Sequence, residues 1–300
     1  MEVMQRKSRI ITEIEAANLV KDGMTVYIGG FTSSSHPMAI VRQIIKNRVK
    51  NLTVVGAATS SMEVDLMIAA GCVKTLIAPY VGIEGHIGIA PFFRKYFQDG
   101  MLKVWELDES MHYTALRAGA CDLPYLPDRS AVGTDYTKLN PDLKEYRDPI
   151  KGEKLIAVPA VAPDIAFIYA EACDAYGNCR IKGSGFGDRT GARASNMIVV
   201  QAEQIISNEE IRMQPERTTI HNCERVVRAP FGAHPFNSPG HYIADDTFLA
   251  EYVKAGVSYL KTSDRTLIDA FLKKYVYEPE THLDYLELIG VKRLCSLGEF

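Results

Sequence analysis

Four stretches of this chain combine residue types and spacings that could do chemistry. Glu106-Leu107-Asp108-Glu109 puts three carboxylates within four positions, where a predicted strand ends and a helix begins. A carboxylate facing a cleft there can serve as general base or nucleophile. Acids at a helix start also follow from capping and the helix dipole alone. Asp108 suits the cap best, which leaves Glu109 first and Glu106 second as catalytic candidates. Glu84-Gly85-His86 pairs an acid with an imidazole across a glycine, fit for acid/base work or simply a solvated loop. In the kinked Gly232-Ala233-His234-Pro235, His234 either touches ligand or hydrogen-bonds the backbone.

The fourth stretch is the one around which the rest is arranged. Thr25 to Ile28 is an apolar, β-branched run with the composition of a buried strand. It breaks at Gly29-Gly30, passes Phe31, Thr32, Ser33, Ser34 and Ser35, and meets His36-Pro37 at the start of a helix predicted over Met38 to Arg48. A strand, a glycine turn and a helix N-terminus bring unpaired N–H groups and a positive dipole end to one space. That space suits a phosphate, a carboxylate or a developing oxyanion, and a side chain at Gly30 is expected to lower kcat more than it disturbs folding. Neither G-x-G-x-x-G nor G-x-x-x-x-G-K-[ST] occurs in this turn, which argues against a dinucleotide fold and a P-loop. No G-x-S-x-G exists to make a serine nucleophile. The hydroxyls more often cap the helix, and His36 is as suited to a helix start as to a ligand contact.

The elements that must position these residues alternate. Helices are expected over Thr12–Lys21, Met62–Ala70, Pro91–Gln98, Met111–Ala120, Thr247–Ala255, Arg265–Tyr275 and His282–Leu288. Strands are expected over Leu52–Val55, Val73–Ala78, Leu102–Leu107, Lys154–Pro159, Ile165–Ala170, Met197–Ala202 and Val226–Val227. Such alternation means a parallel sheet wound by right-handed crossovers. The loops after Ile28, Val55 and Ala78 then line one cleft at the strand ends. Residues 124–151, with four prolines and little apolar periodicity, read as a long loop inside one domain spanning 1–300. The stretch Gly183-Ser184-Gly185-Phe186-Gly187-Asp188 is glycine-rich.

Bulk composition narrows the partners. A net charge of −3 and a pI near 6.2 give no electrostatic reason for nucleic acid or an anionic membrane. No apolar run approaches the ~20 residues of a membrane span, and the polar N-terminus holds no signal-peptide core. The chain is expected to be cytoplasmic. Its six cysteines make no C-x-x-C and no zinc spacing, so reduced, mostly buried thiols and no metal are expected.

Several motifs occur together and in order: Gly29-Gly30-Phe31-x5-Pro37, Tyr80-Val81-Gly82-x2-Gly85, Leu123-Pro124-Tyr125-Leu126-Pro127, Asp174-x2-Gly177-Asn178 and Ala229-Pro230-Phe231-Gly232-Ala233-His234-Pro235. Together they resemble the α (A) subunit of class I coenzyme A transferases, closest to the glutaconate CoA-transferase type, over residues from about 10 to 290. The resemblance implies a NagB/RpiA/CoA-transferase-like α/β fold, a mainly parallel sheet flanked by helices. It also implies a β (B) subunit partner, acyl-CoA and carboxylic acid substrates, and no permanently bound cofactor, the coenzyme A thioester being substrate.

In that family a β-subunit glutamate attacks the acyl-CoA, and this chain has no Glu-Asn-Gly to supply it. Its own share would be a cleft floor made by Gly29, Gly30, Phe31, Thr32, Ser33, Ser34, Ser35 and His36, with Gly82, Glu84 and His234 as further contacts. One feature departs from the glutaconate type. The Glu106–Glu109 pattern is similar to the α subunit of a hydrolase that opens the last steroid ring, which uses a glutamate of this subunit. That implies Glu109, with Glu106 second, as base in an alternative reading. A third reading leaves the chain a CoA-binding scaffold without chemistry of its own.

Overall fold

The computed structural model describes residues 6–298. The polar start of the chain, through residue 5, lies outside the described residues. Strand β1 (Ile10–Ile11) leads into α1 (Glu13–Ala17), shorter than the expected Thr12–Lys21. Its start is a capping box, with Thr12 Oγ1 accepting from Glu15 N–H at 3.1 Å and Glu15 accepting from Thr12 N–H at 2.8 Å. Strand β2 (Thr25–Ile28) ends at Gly29, and α2 (Met38–Lys46) returns the chain to β3 (Leu52–Val55). Then come β4 (Thr59–Ser60), α3 (Met62–Ala69), β5 (Val73–Ile77), β6 (Tyr80–Val81) and α4 (Pro91–Gln98). Strand β7 (Lys103–Val104) is far shorter than the expected Leu102–Leu107, and α5 (Glu109–Ala120) follows it.

The expected loop at 124–151 is instead largely structured. Strand β8 (Tyr125–Asp128), helix α6 (Tyr136–Leu139) and strand β9 (Lys144–Arg147) fold there. With β10 (Lys154–Pro159) they make a three-stranded antiparallel sheet in the order β8-β10-β9. Only the central strand carries a clear apolar alternation; β9 is largely exposed and β8 holds Pro127 at a sheet edge. Asp128 fastens this sheet to α5 by accepting from Ser110 Oγ at 2.9 Å and Thr114 Oγ1 at 2.6 Å.

The second half continues with β11 (Ile165–Cys173), β12 (Cys179–Arg180), α7 (Asp188–Ala194), β13 (Ile198–Ile205), α8 (Asn208–Met213) and β14 (Arg225–Arg228). It closes with α9 (Asp246–Thr262), α10 (Thr266–Leu272), a π-helical turn at Lys273–Tyr277, α11 (His282–Ile289) and α12 (Val291–Ser296). The main sheet runs β1-β14-β13-β11-β2-β3-β5-β7, each neighbour parallel, with β12 antiparallel to β11. From β2 the chain winds outward through β3, β5 and β7; from β11 it winds the other way. Strand order therefore reverses between β2 and β11, the place where open α/β sheets receive ligands.

Side chains alternate across this sheet and so define two cores. Val26, Ile28, Phe167 and Val199 face the layer of α2, α3, α4 and α9 to α12. Tyr27, Ala166, Ile168 and Val200 face α5, α7 and the small sheet. Helix α9 runs past its expected end at Ala255 because Gly256 is a packing position and not a stop: a Cβ there would overlap Pro91 Cγ and lie 3.2 Å from Phe92 Cε2. Gly256→Val should therefore lower the unfolding free energy by about 1–3 kcal/mol through overpacking. An unchanged urea midpoint would contradict this seam between α9 and α4.

Candidate active site

The turn after β2 is built around missing side chains. A Cβ on Gly29 would lie 2.5 Å from Asp188 Oδ1, and one on Gly30, at φ +116°, would overlap the His36 ring. A side chain at Gly30 thus strikes a buried imidazole, so folding suffers directly, a greater disturbance than the expectation of a loss mainly in kcat allowed. Most amides of the turn are already engaged. Gly29 N–H donates to Phe167 O (2.9 Å), Gly30 N–H to Asp188 Oδ1 (3.0 Å) and Thr32 N–H to Thr59 O (3.0 Å). The two glycine amides are consequently not open oxyanion donors. Nor do the hydroxyls cap α2: its cap position is Pro37 with no side-chain bond, and the Ser34 and Ser35 hydroxyls lie 3.1 Å apart.

The candidate histidines stand inside the protein. His36 is fully buried, with Nδ1 3.0 Å from Gly29 O and Nε2 3.0 Å from Thr32 O. Glu63 Oε1 lies 3.4 Å from Nδ1. His234 is also fully buried, 2.7 Å from the Tyr285 hydroxyl and 3.0 Å from Asp245 Oδ2, so its ring clasps the C-terminal helices and offers no free nitrogen to a ligand. Gly82 is buried beside Tyr80 and donates to Ser60 O at 3.0 Å. Glu84 is exposed, and His86 faces Asp246 Oδ1 at 3.3 Å and not Glu84.

The acidic stretch divides as its chemistry suggests. Asp108 is the cap of α5, accepting from Met111 N–H at 2.8 Å. Glu106 is half-buried, and burial raises its carboxyl above the ordinary value. Glu109 is exposed at the first helical position, and with Tyr113 and Arg117, one turn apart each, it lines a cavity of about 530 Å³. Ser110, Phe186 and Thr190 complete that wall. Phe186 links the cavity to the glycine turn, its ring centroid 5.1 Å from Phe31 and 5.5 Å from Tyr113. The Gly29–Phe31 turn and Glu109 therefore belong to one surface, whereas His234 does not.

Asp188 was not singled out by residue type. It is fully buried at the start of α7; Oδ1 accepts from Gly30 N–H (3.0 Å) and faces the Tyr27 hydroxyl at 3.5 Å. Its Oδ2 and the Tyr113 hydroxyl have no hydrogen-bond partner among the described residues. Burial pushes the Asp188 carboxyl up to about 7. The signal that could have found it is an acid directly after a glycine-rich stretch.

Comparison with known proteins fits this geometry. The family model described as coenzyme A transferase matches residues 10–229. The chain belongs to the coenzyme A transferase family. It is 34% identical to the A subunit of glutaconate CoA-transferase from Acidaminococcus fermentans over 97% of this chain and 94% of that one. The crystal structure of that organism's glutaconate coenzyme A-transferase matches with a TM-score of 0.91 and 32% identity, covering 98% of this chain and 96% of the other. A cholesterol ring-cleaving hydrolase IpdA subunit of Rhodococcus jostii is 31% identical over 84% of this chain and 88% of its own length. A protein of Archaeoglobus fulgidus is 35% identical over 95% of this chain, which spans 63% of that relative's length.

The raised Asp188 carboxyl carries a pH signature. Between about pH 4 and 7 the folded chain holds a proton that the unfolded chain has released, so this group's contribution to stability falls as pH rises through that window. Asp188→Asn removes the slope, up to about 1.4 kcal/mol per pH unit. Urea unfolding of both proteins at pH 5 and pH 7 should show the difference shifting toward the variant; parallel pH profiles would refute the assignment.

Proposed function

We propose that this chain, working as one domain in the cytoplasm, is the α subunit of a heteromeric CoA-transferase that moves CoA between small carboxylic acids. The observation that carries the reading is the match, end to end in both chains, to the A subunit of a glutaconate CoA-transferase of the same fold. The route is ping-pong. A β-subunit glutamate carboxylate attacks the thioester carbonyl, and the tetrahedral adduct expels CoA thiolate as its C–S bond breaks, leaving a mixed anhydride on the glutamate. The thiolate then attacks the glutamyl carbonyl, leaving a carboxylic acid and an enzyme thioester, and an acceptor carboxylate reverses the sequence. The α chain forms the cleft floor at the switch point between β2 and β11, where the Phe31, Phe186 and Tyr113 rings make an apolar wall for the acyl group. Six unpaired thiols suit a reducing compartment.

A second reading is favoured by one specific observation, the exposed Glu109 on the cavity wall. There Glu109 would act as base on water in hydrolytic opening of a cyclic acyl-CoA, with Glu106 second. The two readings separate in one experiment: the αβ complex is incubated briefly with a panel of acyl-CoAs, treated with borohydride and examined by mass spectrometry. Transfer predicts a mass change on a β-subunit glutamate that still forms in Glu109→Gln. Absence of any adduct, with water-dependent acyl-CoA loss that Glu109→Gln slows by about 10²–10⁴-fold, would replace transfer by hydrolysis.

A further inference from the structure

The loop above His36 is a two-residue hairpin turn. Phe31 and Ser34 exchange N–H···O bonds of 3.0 and 2.9 Å, leaving Thr32 and Ser33 as its tip. Thr32 sits at φ +52°, a left-handed conformation unusual for a β-branched residue. The conformation is held from beneath, since the two His36 ring nitrogens lie 3.0 Å from Gly29 O and Thr32 O. Carbonyl oxygens only accept, and a neutral imidazole has one N–H. Both contacts are hydrogen bonds only when the ring carries two protons. Glu63 is placed to balance that charge, 3.4 Å from Nδ1, and its two oxygens take the Ser61 N–H at 2.9 and 3.1 Å, which favours the carboxylate. Burial opposes both charges, drawing the His36 imidazole down to about 4 and pushing the Glu63 carboxyl up to about 8, more than the two carbonyl acceptors and the Ser61 donor restore; the attraction between the two groups 3.4 Å apart acts in the other direction.

The Thr32 carbonyl and the Ser33 N–H belong to one peptide. A cation bonded at the carbonyl end polarises the group and strengthens the donor at the other end. Among the described residues the Ser33 N–H has no acceptor, and Ser33 is half-exposed. The amides of Gly29, Gly30, Phe31, Thr32, Ser34 and Ser35 are all engaged. We propose that His36, held as an imidazolium by Glu63, is a positioning residue that presents the Ser33 N–H to a carbonyl or carboxylate oxygen of the acyl ligand. The pair itself is independent of function; the presenting role rests on reading this turn as part of an acyl-CoA cleft.

Nitrogen-15 NMR of the αβ complex carrying ring-labelled histidine tests the pair, with the His36 signals assigned through their loss in His36→Gln. Two protonated ring nitrogens from pH 6 to 8 are expected; one bare nitrogen throughout that range would overturn the proposal. The presenting role is tested with acetyl-CoA as donor and glutaconate as acceptor. Replacing serine 33 by its α-hydroxy analogue turns the amide into an ester and removes only the N–H. A fall in kcat of about 10–100-fold with KM changed less than about threefold is expected, and Glu63→Gln should move kcat the same way. Unchanged kcat in the ester variant would overturn the role of Ser33. An unmodified complex inactive on both substrates, with His36 doubly protonated, would overturn the cleft reading and the presenting role with it, but leave the ion pair.

Discussion

The peptide bond between Gly29 and Gly30 is held at both ends by ionisable side chains. His36 reaches its carbonyl oxygen and Asp188 receives its N–H. The two side chains come from opposite faces of the sheet, His36 just ahead of α2 and Asp188 at the start of α7. A Cβ on Gly29 would exclude Asp188, and one on Gly30 would exclude His36. The position of Phe31, the strained tip at Thr32 and the contact with Phe186 all follow from this double grip. Because β2 and β11 lie side by side where strand order reverses, the grip sits at that switch point, and the two helical layers are pinned to each other there.

Much of the architecture was legible in residue patterns. Short β-branched runs separated by amphipathic helices pack as a parallel sheet with helices on both faces, and strands β2, β3, β5, β11, β13 and β14 stand where those runs occur. What escaped notice had a common cause. Strands β8 and β9 are largely exposed and short, so no alternation marks them; their pairing is fixed by β10, whose residues lie as far away as Pro159 does from Tyr125. Local propensity ends helix α9 at Gly256 because it cannot see Pro91 against that face.

The site was legible to a lesser degree, and again the limit is distance along the chain. Asp108 as a cap depends on neighbours three residues away and was readable. The fate of the histidines was not. His234 is saturated by Asp245 and Tyr285, and His36 lies against Glu63, none of which a local pattern connects. Residue type suggested ligand contacts for both, whereas burial turned them into structural members. Asp188 meets Gly30 across 158 positions, so its part in the turn emerges only from the fold. The motifs that carry family resemblance performed better because they come as sets, each member silently encoding such distant contacts.

The small antiparallel sheet bears on the helix that carries Glu109, Tyr113 and Arg117 in two ways: Asp128 accepts from Ser110 and Thr114, and Ile156 and Val158 share a core with Met111, Ala115 and Leu116. A displacement of that sheet is therefore inherited by three wall residues at once, as a tuning peg acts on a string without touching the part that sounds. Substitutions in the largely exposed strands β8 and β9 have a route to the shape of the cavity that Glu109 lines. The shape of that cavity thus depends on residues that do not line it.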